Sequence, residues 1–243
     1  MTLSAAFNSA KKPKKLIYLS DYLIFMSNTA TIWQSSSDIY DKILHHSFIT
    51  QLADGTLEAE RFRFYLAQDR IYLGYYVRAL SYLAARSPDL ATTNMFSKHI
   101  MRASNVEVSL HFSMQFGVDA SKFKQSPSSR AYTDFLIAMT SSEPFHIGLA
   151  AVLPCYWIYR EVGRDVIRRM KSDNPYRIWA ETYAGKEYGE TVQEVLDFID
   201  DKLEPSETQL KDMQKTFRLG AYYEYLFWDS AYRLEGWAIN PYL

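Results

Sequence analysis

Cys155, the only cysteine of the 243-residue chain, follows a proline in LPCYWIYREVG, Leu153 to Gly163. Gly148, Ala151, Val152, Ile158, Tyr159 and Val162 stand at helical offsets from it, so on a 3.6-residue period the thiol faces inward among small residues that leave room beside it. A thiol so placed is either a small buried hydrophobe or a nucleophile. The interior Pro154 removes one backbone hydrogen bond and bends a helix, which opens the backbone beside the sulfur. Tyr159, one turn on, is placed to hold or tune the thiol through its hydroxyl.

Two carboxylates interrupt faces that are otherwise apolar. Asp69 shares a helical stripe with Phe62, Tyr65, Leu66, Tyr72, Leu73 and Tyr76. Burying an unpaired carboxylate is costly, so Asp69 needs either a tethering cation, such as an arginine, or a ligand that brings hydrogen-bond donors. Glu224 repeats the pattern among Phe217, Gly220, Ala221, Phe227, Trp228 and Ala231. The small Gly220 and Ala221 either leave space beside that carboxyl or admit a neighbouring helix whose arginine pairs with it. Desolvation on such a face raises a carboxyl pKa and suits it to give and take a proton near neutral pH. Brought together, the three side chains would supply a nucleophile, an acid/base and a substrate anchor.

The elements that must bring them together are helical. ERFRFYLAQDRIYLGYY carries the Asp69 stripe, and similar stripes run over Asn94 to Phe116, Phe145 to Met170, Glu187 to Leu203 and Met213 to Trp237. The breaks agree: GVDASKFKQSPSS and KSDNPY are turn-rich, SSEPF offers a serine cap with a proline just inside a helix, and SETQ (Ser206 to Gln209) has the form of a capping box. No convincing period-2 strand run occurs. The expectation is an all-α single-domain bundle of about seven or eight helices from Ile32 onward, without internal repeats. A hydrophobic fraction of 48% supports a sizeable core, and a net charge of −1 with pI near 6.5 gives no cationic field for nucleic acid or anionic membrane. Small neutral partners are expected instead. Nineteen tyrosines and 14 phenylalanines suggest a pocket needing both ring faces and hydroxyls. A lone cysteine calls for no oxidising compartment, and a cytoplasmic setting is expected.

The segments IYDKILHHSFITQLADGTLEAERFRFYLAQDRIYL, AAVLPCYWIYREVG, WAETYAGKEYG and YYEYLFWDSAY resemble, in order and spacing, the TenA family, also called thiaminase II or aminopyrimidine aminohydrolase. The resemblance runs from about Ile32 to Trp237, and PCYWIY is similar to the branch that carries the cysteine. It implies a haem-oxygenase-like fold, a homotetramer, no haem, metal or other cofactor, and a small-molecule pyrimidine as partner. It further implies salvage of thiamin breakdown products, with 4-amino-5-aminomethyl-2-methylpyrimidine hydrolysed to the hydroxymethyl pyrimidine, and cleavage of thiamin itself by many members. Carried onto this sequence, Cys155 would add to the ring, Asp69 would grip its amino group and adjacent nitrogen, and Glu224 would donate the proton. Tyr72 would assist the thiol or stack, Tyr159, Tyr183 and Tyr132 would contact substrate, and Phe227 would pack on the ring.

Two other readings use different residues. Glu107 and His111, four apart, with His45, His46, His99 and His146, offer ligands for a metal oxidase, although the paired Glu-x-x-His motifs of a di-iron bundle are absent. A non-enzymatic regulator would need a basic recognition helix that the sequence lacks. The first 25 residues stand apart. KKPKK before LIYLSDYLIFM superficially resembles a secretory signal, but Asp21 interrupts the apolar run, which is far shorter than the roughly 20 residues of a membrane helix. They are read as an N-terminal extension, 1–25, before a helical domain, 26–243. N-terminal mass spectrometry of natively expressed protein is expected to find Met26 first; a mature chain beginning earlier overturns that reading.

Overall fold

A computed structural model of the chain describes residues 16–19, 22–113, 117–118, 122–239 and 241, with side chains from Met26 onward apart from 106–113. The apolar run before Met26, rich in aromatic and β-branched residues, forms an antiparallel pair, β1 (Leu16–Leu19) and β2 (Tyr22–Phe25), with Leu16 opposite Phe25. Everything regular after it is helix. α1 (Asn28–Gln34), α2 (Ser37–Leu44) and α3 (Ser47–Asp54) are short; α4 (Ala59–Ala85), α5 (Leu90–Ser113), α6 (Pro127–Ser142) and α7 (Phe145–Arg169) are long; α8 (Arg177–Ala184), α9 (Lys186–Asp201) and α10 (Glu207–Arg233) complete the body.

The described residues thus hold ten α-helices, more than the periodicity predicts, because local caps cut the segment before α4 into pieces. The Ser27 hydroxyl accepts from Ala30 N, the His46 ring accepts from Phe48 N, and Gly55 closes α3 at φ 83°. Ser206 and Gln209 form the expected capping box of α10. The serine cap expected in SSEPF does not form: Pro144 is the N-cap of α7 and makes no side-chain cap bond. Helix α10 also stops short of the expected Trp237, because Leu234 turns left-handed at φ 52°. The chain then folds back. Glu235 takes hydrogen bonds from Ser128 N and Oγ at the start of α6, where a carboxylate complements the helix dipole, and Trp237 Nε1 donates to Gln125 O.

Helix α7 is the axis of the body, packing against α3, α4, α6, α8, α9 and α10. Trp179, Trp228, Tyr65, Tyr132, Phe48 and Phe62 are fully buried around it. Two glycines set the spacing of its neighbours. A Cβ on Gly220 of α10 would stand 2.7 Å from the Pro154 ring, so the small residue flanking Glu224 admits a helix. A Cβ on Gly163 would stand 2.7 Å from Tyr183 Cβ and 2.9 Å from Ala184 N, which locks α8 against α7. The turn between them is fastened to α3 by Asn174, whose amide donates to Leu52 O and Ala53 O. Among the described residues no helix is long and apolar enough to cross a membrane. Since the atoms around Gly163 are backbone and a buried Tyr183 Cβ, Gly163→Ala is expected to destabilise the protein by about 1–3 kcal/mol, seen as a lower thermal midpoint.

Candidate active site

Helices α4, α5, α7, α8 and α9 enclose a cavity of about 400 Å³. Cys155 opens onto it from α7, Asp69 from α4, Tyr159 from α7 and Tyr183 from α8. The thiol residue is 8% exposed and Asp69 3%. Pro154 sits within α7 without ending it. Tyrosines from two other helices serve carbonyls on either side of that proline: Tyr76 donates to Val152 O at 3.2 Å and Tyr188 to Cys155 O at 2.9 Å.

The other four candidate residues form the wall beside the sulfur. The Tyr132 hydroxyl donates to Glu224 Oε1 at 2.6 Å. The Tyr72 ring stands 5.0 Å from the Tyr132 ring and 5.6 Å from that of Phe227. Four of the eight candidate residues thus line the cavity, and the other four cluster with one another close enough for Glu224 and Tyr72 to act on the thiol. The partner of Glu224 is a tyrosine rather than the alternative of an arginine. The Tyr159 ring is held between Tyr183 at 4.8 Å and Trp228 at 5.1 Å. The Tyr72 and Tyr76 hydroxyls on α4 lie near enough to the thiol to lower its pKa.

Burial sets the ionisation of this cluster. Glu224 is pushed up to about 8 by desolvation, with the Tyr132 hydrogen bond pulling down and the Asp69 charge adding to the rise. The Cys155 thiol is pushed well up, first by burial and then by the Glu224 charge, while the Tyr72 and Tyr76 hydroxyls pull it back. Burial likewise raises Tyr72, Tyr132, Tyr159 and Tyr183, which keeps them as hydroxyls. The Tyr72 hydroxyl is buried and makes no well-formed hydrogen bond, which leaves an unused donor near Cys155 and Tyr132. Together these groups offer a flat, tyrosine-walled slot, a carboxylate for N–H donors, a thiol, and a carboxyl poised to exchange a proton near neutrality.

Some site residues carry little sequence signal. Tyr76 lies on the Asp69 stripe and was accessible there as a core aromatic; Tyr156 adjoins Cys155 but falls off its inward offsets, yet it lines the cavity. His99, considered as a metal ligand, is buried between Tyr156 and Glu194. His46 instead caps α3, 3.4 Å from Asp229, and His45 is exposed beside Asp41. The side chains of Glu107 and His111 lie outside those described. Among the described residues no three His, Cys, Asp or Glu side chains gather in a metal-binding group.

The sequence profile of the TENA/THI-4/PQQC family matches residues 33–234. The chain is 35% identical over 199 residues to the aminopyrimidine aminohydrolase of Bacillus subtilis strain 168, covering 79% of this chain and 84% of that protein. It is similar to the solved TenA homologue from P. horikoshii OT3, with a TM-score of 0.76 and 28% identity over 86% of this chain and 99% of that one. A domain with a haem oxygenase-like fold from Shewanella denitrificans OS217 shares the fold at a TM-score of 0.68, with 13% identity, covering 87% and 94% of the two chains.

The displaced ionisation of Glu224 carries a stability signature. Between the ordinary carboxyl value of 4.5 and about 8 the unfolded chain loses this proton while the folded chain keeps it, so stability falls as pH rises through that window. Relative to Glu224→Gln, which still accepts from Tyr132, the wild type is expected to lose about 3 kcal/mol between about pH 5 and pH 8, measured by denaturant unfolding at each pH.

Proposed function

This chain belongs to the TENA/THI-4/PQQC family, and from that premise we propose that it is an aminopyrimidine hydrolase of thiamin salvage. Its reaction converts 4-amino-5-aminomethyl-2-methylpyrimidine to the hydroxymethyl compound, and it cleaves thiamin to the same pyrimidine plus thiazole. The observation that carries the reading is the meeting of the Cys155 thiol and the Asp69 carboxylate on one tyrosine-lined cavity, with the buried Glu224–Tyr132 pair close enough for the Glu224 charge to act on the thiol.

An aminopyrimidine presents N–H donors and a flat π face. Asp69 accepts from the amino group, and Tyr159, Tyr183 and Phe227 supply the ring contacts. The Cys155 thiolate adds to the ring and breaks its aromaticity, with Tyr72 stabilising the anion before attack. Electron density on the ring then expels the group on the exocyclic methylene: ammonia from the aminomethyl substrate, with the Glu224 proton going to the leaving nitrogen, or neutral thiazole from the cationic thiazolium of thiamin, with the Glu224 proton going to the pyrimidine nitrogen. Water adds at the methylene with Glu224 taking a proton back, and departure of the thiolate restores the aromatic ring. A carboxyl near 8 serves both directions of transfer.

On this reading the helical body from Met26 is the catalytic unit, residues 1–25 are an accessory extension, the assembly is a homotetramer, and the enzyme works in the cytoplasm, where a single thiol stays reduced.

Incubation with each substrate, followed by chromatography of the hydroxymethyl pyrimidine, tests the proposal. Wild type is expected to form product, Cys155→Ser to be slower by about a thousandfold or more, and Glu224→Gln by about a hundredfold to ten-thousandfold while still binding pyrimidine. The wild-type rate is expected to fall as pH rises through about 8, where Glu224 loses the proton it donates. No product from either substrate with folded protein would overturn the assignment.

A further inference from the structure

The reading of Cys155 as nucleophile leaves its own proton without a destination. Glu224 begins the cycle protonated and so is not the acceptor, and Asp69 is committed to the substrate. A second set of groups lines the same cavity as the thiol. Both ring nitrogens of His99 are engaged: Nδ1 lies 3.0 Å from the Tyr156 hydroxyl and Nε2 lies 3.0 Å from Glu194 Oε2. A carboxylate only accepts, so Nε2 carries the proton shared with Glu194, and Nδ1 is left to accept from Tyr156.

The Tyr156 and Tyr76 rings stand 5.7 Å apart. Burial pushes up both the thiol and the Tyr156 hydroxyl, and the Tyr76 hydroxyl is near enough to each to pull it back. His99, Tyr156, Tyr76 and Cys155 all line the one cavity. Burial is the largest influence on the imidazole and lowers its pKa; Glu194 on α9 works against this and favours protonation, whereas Arg102 and Lys98 on its own helix oppose it. Arg102 is itself 3.8 Å from Glu187 and donates to Thr191. Tyr156 on α7 and, behind it, Tyr76 on α4 supply only hydroxyls.

We propose that Tyr76, Tyr156, His99 and Glu194 form a proton outlet for Cys155, acting as positioning residues that generate the thiolate. Tyr76 turns its hydroxyl from Val152 O to Tyr156, hands its own proton to the Tyr156 oxygen and takes the thiol proton in its place. Tyr156 passes its own proton to His99 Nδ1. One proton has then left sulfur and one has arrived on imidazole; the thiolate and imidazolium charges are equal and opposite, and the Glu194 carboxylate steadies the cation. When the thiolate leaves the ring at the end of the cycle, the same chain can return the proton.

The test reads the thiol without turnover, so it is decided separately from the proposed activity. Alkylation of the intact protein by iodoacetamide is followed by mass spectrometry across pH; with one cysteine in the chain the label is unambiguous. Tyr156→Phe and His99→Gln are expected to move the alkylation inflection to higher pH, with the rate near pH 7 falling about ten-fold for each pH unit of displacement. Glu194→Gln is expected to move it in the same direction by less. A merely structural role would lower the thermal midpoint and leave the inflection in place. Superimposable profiles for the folded variants overturn the proposal. Should the two buried substitutions fail to fold, Glu194→Gln at the partly exposed rim decides alone, an unmoved profile again overturning it. If Cys155→Ser kept full pyrimidine hydrolysis, the nucleophile reading would fall while the alkylation profiles still judged the outlet.

Discussion

The site depends on the choice of partner for one buried acid. Glu224 is 1% exposed and is met by a tyrosine hydroxyl. An arginine in that place would fix the carboxyl as an anion and leave it no proton near neutral pH. A hydroxyl satisfies one lone pair, lowers the pKa only partly, and leaves desolvation in charge. The cost of holding such a group is met by the packing that surrounds it: Tyr132 stacks on Tyr223 with ring centroids 5.4 Å apart, and Tyr72 closes the other side. The aromatic richness of the chain therefore has a specific location. It builds a dry wall in which hydroxyls, rather than cations, manage charge.

That wall tolerates little movement, and the backbone explains why. Helices α7 and α10 meet through the Pro154 ring against Gly220, one turn from Glu224 and one residue from Cys155. The same proline that costs α7 a backbone hydrogen bond fills the notch in α10. Two tyrosines from α4 and α9 occupy nearby carbonyls. The irregular point of the helix is thus braced on three sides, and the thiol is held by its main chain as much as by its own contacts.

Much of this could be read from the chain because it obeys helical periodicity. Asp69 and Glu224 were visible as intrusions on apolar stripes, and Cys155 as a thiol on a small-residue face; each stands where its offsets put it. Harder to read were features that depend on residues distant in sequence. Tyr132 finds Glu224 across 92 positions, and His99 finds Tyr156 across 57. Tyr156 lies off the inward face of its helix when counted from Cys155, so its exposure to the cavity follows from where α5 runs and not from any local spacing. The short helices before α4 are hard to read for another reason: a serine starts α1, a histidine ring starts α3 and a left-handed glycine ends it, signals of one residue each that a period cannot register.

The return of the chain after α10 ties distant parts of the chain into one closure. The amino end of α6, which carries Tyr132, is held by Glu235 across 107 residues, and the acid it serves lies on α10 itself. Removing the chain from α10 onward would therefore take away two things at once, the buried carboxyl and the tether on the helix that carries its hydroxyl partner, so the Glu224–Tyr132 pair is assembled by α6 and α10 together and by neither alone.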